Sequence, residues 1–161
     1  VSDLRWEDVR NFFDPDLMGA LPDVRVPDAS VEDWQTVLDL VQSTDWEFEY
    51  LVGEQVLPLP RAEVVFSRPT DADLPRLRVR PVPDVLVIFR FFAAEQIDFD
   101  VDLRELQGQE RLDVFCGFLA AIGRRLGKPV LMDAEGSDVD PVVGFDIDVD
   151  RVVLLADPRF D

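Results

Sequence analysis

Two hexapeptides of this chain are nearly the same word. Ile97-Asp98-Phe99-Asp100-Val101-Asp102 is echoed by Phe145-Asp146-Ile147-Asp148-Val149-Asp150. A period of two is that of an extended strand, whose successive side chains point to opposite faces. Each hexapeptide therefore predicts a strand with apolar side chains on one face and carboxylates on the other. The inverse pattern stands in Arg76-Leu77-Arg78-Val79-Arg80, where the guanidinium groups share a face. Like charges directly opposite one another destabilise a sheet, so strands of the two kinds belong side by side. Arg76, Arg78 and Arg80 are accordingly expected to pair across strands with acids such as Glu47, Glu49 or the Asp98 ladder. Each exposed pair would contribute about 0–1 kcal/mol.

The rest of the chain fits the same picture. Trp46, Phe48, Tyr50 and Val52 alternate with Glu47, Glu49 and Leu51, and Gly53-Glu54 reads as a hairpin turn. Further candidate strands are Ala62–Ser67, Leu77–Arg80, Val85–Phe92, Val130–Met132, Val142–Ile147 and Val152–Leu155. Val85–Phe92 is almost wholly apolar, which suits a central strand covered on both faces over part of its length. Ser30 and Asp33 open a helix that carries Val31, Trp34, Val37, Leu38 and Val41 at helical spacing. A second helix has Leu112, Phe115, Leu119, Ile122 and Leu126 on its apolar face and stops at Gly127-Lys128-Pro129. Beside that face run Cys116, Ala120 and Gly123, small residues that let a helix backbone lie close to a sheet. An earlier start at Asp102, with Glu105 as reciprocal cap and a break at Gly108, and a short helix over Leu4–Phe13 complete the list. Prolines fall between the periodic segments as turn punctuation. The acids and bases divide evenly, 17 and 8 in each half of the chain, so charge marks no boundary. The expectation is one α+β domain over residues 1–161, a mainly antiparallel sheet with two or three helices packed against it.

Charge and the missing residue types exclude much. Among 161 residues there are 34 Asp and Glu against 16 Lys and Arg, a net charge of −18, with no His and one Cys. A Cys/His zinc site, a disulfide framework and imidazole catalysis are therefore ruled out. A 47% apolar fraction supplies a core, so the charge does not imply disorder. Direct nucleic-acid binding needs clustered positive charge and is not expected. Cys116 has no base to activate it, no glycine-rich phosphate loop occurs, and no two carboxylates are singled out as an acid/base pair. No enzyme activity and no cofactor are expected. No apolar run approaches the roughly 20 residues of a membrane span. The polar start of the chain carries no secretory leader pattern, so a cytoplasmic location is expected.

What remains is the acidic tract. Residues 133–150 contain Asp133, Glu135, Asp138, Asp140, Asp146, Asp148 and Asp150 and no basic residue. Asp146-x-Asp148-x-Asp150 begins like a calcium loop. Its sixth position is Arg151 instead of Gly and its twelfth is Asp157 instead of Glu, so no metal site is expected. An exposed acidic connection serves solubility. It also makes a docking surface for a basic protein, which a field of this sign attracts and orients. These seven acids are the candidate partner-binding residues, and the acidic helix face with Glu32, Asp33 and Asp39 would extend them.

The stretch I-D-F-D-V-D-L-R-E-L-Q-G-Q-E-R-L-D-V-F-C-G-F-L-A-A-I-G-R-R-L-G-K-P-V-L, Ile97 to Leu131, resembles small acidic bacterial single-domain proteins, some of which are immunity partners of secreted toxins. The resemblance implies a cytoplasmic inhibitor that blocks one basic cognate partner. It assigns no residue roles. Two other classes stay open from the residues alone. A nucleic-acid-mimicking acidic decoy would display carboxylates at phosphate spacing. A plain subunit of a larger complex would present an apolar patch, for which Phe12, Phe13, Leu17, Met18 and Phe160 are candidates.

Overall fold

Apolar residues at every second position bury one face of a sheet, and the computed structural model, which describes residues 4–69, 73–134 and 140–156, is built around that face. In chain order its elements are α1 (Trp6–Val9), a 3₁₀ turn (Arg10–Phe13), α2 (Pro15–Met18), β1 (Asp23–Val26), α3 (Val31–Ser43), β2 (Glu47–Val52) and β3 (Gln55–Leu57). There follow α4 (Ala62–Val65), β4 (Pro75–Val82), β5 (Val85–Ala93), β6 (Gln96–Asp100), a 3₁₀ turn (Leu103–Glu105), α5 (Gln109–Leu126), β7 (Val130–Met132), β8 (Val143–Asp146) and β9 (Arg151–Leu154). The strands form one sheet in the order β3-β2-β4-β5-β6-β1-β7-β8-β9, every pairing antiparallel. The fold is α+β, a mainly antiparallel sheet with helices packed against it. β1 is the hinge of the topology, since it joins the β2–β6 half to the β7–β9 meander.

The two long helices lie on the face that carries Leu77, Phe89, Phe99 and Phe145. Trp34 of α3 stacks on Phe91 at 4.7 Å and meets Phe89 edge-on at 6.4 Å. Phe118 of α5 meets Phe99 edge-on at 5.6 Å. The small-residue strip does what its spacing suggests: a Cβ on Gly123 would lie 2.1 Å from the Phe145 ring, so only glycine lets α5 approach β8 this closely. α5 ends on Gly127 in the left-handed conformation, φ 67°, which a residue without Cβ adopts freely. Ser30 caps α3 by accepting from the Asp33 N–H at 3.1 Å. Lys128 then ties the two helices by donating to the Asp33 carboxylate at 2.6 Å.

Four details differ from the sequence expectation. Ala62–Ser67 contains a helical turn, α4, in place of a strand; its first N–H is met by the Gln35 side chain at 2.7 Å. β5 is internal but covered on one face, because Leu86 and Ile88 are half-exposed and Phe92 is exposed. Glu105 does not cap the turn after β6; it accepts from the Leu86 N–H at 2.9 Å, and Asp102 alone accepts from the Arg104 N–H. The largest difference concerns the second hexapeptide. It is strand only through Asp146, and residues 147–150 form the turn between β8 and β9. No helix among the described residues is long and apolar enough to cross a membrane.

Candidate functional site

The outer face of the sheet, turned away from the helices, holds most of the charged ladders, and the central part of it is internally matched. Register places Glu47 opposite Arg80 and Glu49 opposite Arg78. Arg78 makes the ion pair with Glu49 at 3.5 Å. Arg76 and Arg80 instead donate to the carbonyls of Gly53 and Pro83. Farther in, Asp23 stands opposite Asp100 and Arg25 opposite Asp98. Arg90 resolves the like-charge contact with a two-point pair to Asp100, at 3.0 and 3.1 Å. Planar guanidinium and carboxylate groups match in this geometry. Burial lifts the Asp98 carboxyl above the ordinary range. A hydrogen bond from Gln96 opposes that shift, Asp23 reinforces it and Arg25 opposes it. Arg104 acts the other way on Asp102, holding it below the ordinary range by a side-chain hydrogen bond that outweighs desolvation.

The seven candidate acids do not form one cluster. Asp133 is buried, 1% exposed, and Arg25 grips it at 2.8 and 3.3 Å. Its N–H continues the ladder to the Asp23 carbonyl at 2.9 Å. A carboxylate so placed is a structural counter-ion and is unavailable to a partner, which corrects its assignment to a surface loop. Glu135 and Asp138 lie outside the described residues. Asp140 is exposed. Asp150, at φ 56°, accepts from Arg124 Nε at 2.6 Å and so pins the β8–β9 turn to α5. Asp33 of the acidic helix face is likewise engaged, by Lys128.

Asp146 and Asp148 are different. Asp146 Oδ1 accepts from the Asp148 N–H at 2.8 Å, the local bond by which Asp favours turns over strands. This turn presents Asp148 to solvent. It also exposes Ile147 and Val149, which a strand would have buried. Beside them lies a groove of about 320 Å³ whose lining includes Pro129, Leu131, Gly144, Ile147 and Leu155 together with Asp146 and Asp148. Gly144 admits no side chain: a Cβ there would come within 2.8 Å of the Val130 carbonyl and 2.9 Å of Leu131 Cδ2. Ile147 and Leu155 are 43% and 42% exposed. The site thus combines apolar side chains with two carboxylates in one groove. Leu131, Gly144 and Leu155 were missed in the sequence because an apolar residue in a short strand reads as core. The usable signal was the Asp-x-Asp spacing after a four-residue strand, an Asx-turn pattern.

Among the described residues no three acids or thiols converge as a metal site would require. Phe12 and Phe13 are core residues, Phe13 packing edge-on against Phe115 at 5.8 Å, so they supply no exposed patch. Leu17 is exposed, and Phe160 lies outside the described residues. No protein-family model, curated protein or solved structure matches the chain.

Proposed function

We propose that this chain is a non-catalytic acidic protein-binding module that docks a basic partner at the β8–β9 corner and blocks it, as an immunity-type inhibitor blocks its toxin. The observation that carries the reading is one groove that holds the exposed Ile147 and Leu155 together with the acids Asp146 and Asp148. Desolvated apolar anchors supply most of the affinity at such contacts. The surrounding field, at a net charge of −18, speeds the encounter with a cationic surface. The decoy reading has less support. A phosphate-spaced ladder needs free carboxylates, whereas Asp100 is held by Arg90 and the second hexapeptide bends after Asp146.

The test takes the protein encoded beside this gene as the candidate partner and follows association by stopped flow. Asp146→Asn with Asp148→Asn is expected to slow association roughly tenfold at low ionic strength and to flatten its salt dependence. Ile147→Ser with Leu155→Ser is expected to raise the dissociation rate, weakening the complex by more than about 1 kcal/mol. Full activity of a basic toxin in excess of this protein would remove that pairing, and indifference of a real complex to both double variants would remove the corner.

A further inference from the structure

A second cavity lies at the opposite end of the sheet, on its helix side, under the β2–β3 hairpin. Its volume is about 390 Å³, and Leu57, Leu59, Pro60, Val64, Tyr50 and Arg68 are among its walls. We propose that this pocket binds a small organic monocarboxylate, an apolar body carrying one anionic head, with Arg68 and Tyr50 holding the head. The size is at the lower end of small-molecule sites, about 300–1,000 Å³. Apart from Tyr50 and Arg68 the lining side chains are aliphatic or proline, so a ligand gains there by burying hydrocarbon.

Arg68 supplies the second observation. Its Nε is buried and has no hydrogen-bond partner among the described residues. Leaving a buried donor unmet costs about 1–3 kcal/mol, and groups of this kind in native structures call for an acceptor from elsewhere. A carboxylate only accepts, and a guanidinium only donates. Tyr50, near enough to feel the Arg68 charge, stays a protonated phenol because burial raises its pKa, so the lining contains a second donor. A phosphate would find nothing to recognise in the aliphatic wall. An extended peptide is disfavoured too: β3 has three residues and runs into Pro58 and Pro60, which stop strand addition at that edge. The chain's negative charge opposes any anion, but charges beyond about 8 Å are largely screened at physiological salt.

Tyr50 is the only tyrosine of the chain, so a ¹³C-tyrosine label gives a single ring spin system inside the pocket. The full chain is titrated with octanoate below its micellar concentration, with octan-1-ol and with acetate. Octanoate is expected to shift the Tyr50 signals saturably, and the alcohol and acetate to bind at least tenfold more weakly. Arg68→Gln is expected to weaken octanoate at least tenfold and to leave octan-1-ol unchanged. Should that variant not fold, Val64→Glu, at an exposed position on the rim, is expected to give the same selective loss by placing a like charge beside the head. No shift of Tyr50 with octanoate would overturn the proposal. So would equal binding of acid and alcohol, or octanoate affinity untouched in the folded variant. Binding here is read without any protein partner, so its failure leaves the β8–β9 corner untouched, and the converse holds as well.

Discussion

Phe99 and Ile147 hold the same place in two almost identical hexapeptides, yet one is 1% exposed and the other 43%. The first hexapeptide lies between β5 and β1, with hydrogen-bonded neighbours on both sides. Its apolar residues meet the helices, and its carboxylates meet Arg90 and the field of Arg25. The second starts in β8, which is also paired on both sides, with β7 and with the edge strand β9, but the chain must reverse after four residues to make β9. Asp146 captures the Asp148 N–H and the alternation breaks. Local pattern sets which side chains can share a face; where the chain has to reverse decides whether that face is used. In the interior of the sheet the acids become structural. At its corner Asp146 shapes the turn, Asp150 ties it to α5 and Asp148 is exposed.

Truncating the two equivalent side chains gives the largest expected contrast. Phe99→Ala removes a ring packed against Phe89 and Phe118 and is expected to cost about 3–5 kcal/mol in urea unfolding. Ile147→Ala is expected to stay within about 0.5 kcal/mol. Similar losses at both positions would mean that the second hexapeptide is packed like the first. A smaller contrast concerns the arginines. Arg90→Met strands the half-buried Asp100, 16% exposed at its side chain, and is expected to cost about 1–3 kcal/mol. Arg124→Met breaks an exposed pair with Asp150 and is expected to cost about 0–1 kcal/mol. Equal costs in the same urea series would show that the corner acids are as structural as the interior ones.

Acid titration gives the smallest effect and is read by its sign. Asp98 is raised by burial in the folded state, so folding binds its proton more tightly, and the group favours folding only as the pH falls. Asp98→Asn is therefore expected to be more stable than the parent at neutral pH. That advantage shrinks as the pH drops through the raised folded value towards the ordinary one. Asp102, held low by Arg104, contributes stability above the ordinary carboxylate range and loses it as the pH falls through its depressed value. Asp102→Asn is expected to be the less stable variant at neutral pH, with the difference fading in acid. Denaturant midpoints of the two variants between pH 7 and pH 3, moving in the same direction relative to the parent, would contradict these environments.

Much of this was legible in the residues. The cap at Ser30, the Gly127 stop, the hairpin at Gly53 and the strip ending in Gly123 are short-range signals, and each is carried by residues a few positions apart. Pairing of Arg78 with Glu49 followed from charge complementarity between strands. What sequence could not show is long-range. Arg25 lies 108 positions from the Asp133 it buries, and no local pattern distinguishes that acid from its exposed neighbours. Ala62–Ser67 is too short for period two and period 3.6 to differ, and contact with Gln35 of α3 decides for the helical turn. The groove escaped because Gly144, Leu131 and Leu155 are brought together only by the pairing of β7 with β8 and of β8 with β9.

The chain contains four isoleucines, Ile88, Ile97, Ile122 and Ile147, and two of them mark equivalent apolar faces of the two hexapeptides. A methyl spectrum of selectively labelled isoleucine, recorded with and without the basic partner, reads both regions at once. The docking corner predicts that Ile147 shifts or broadens on binding while Ile97, packed in the core, stays in place. A footprint that leaves Ile147 unmoved in a saturated complex would contradict it.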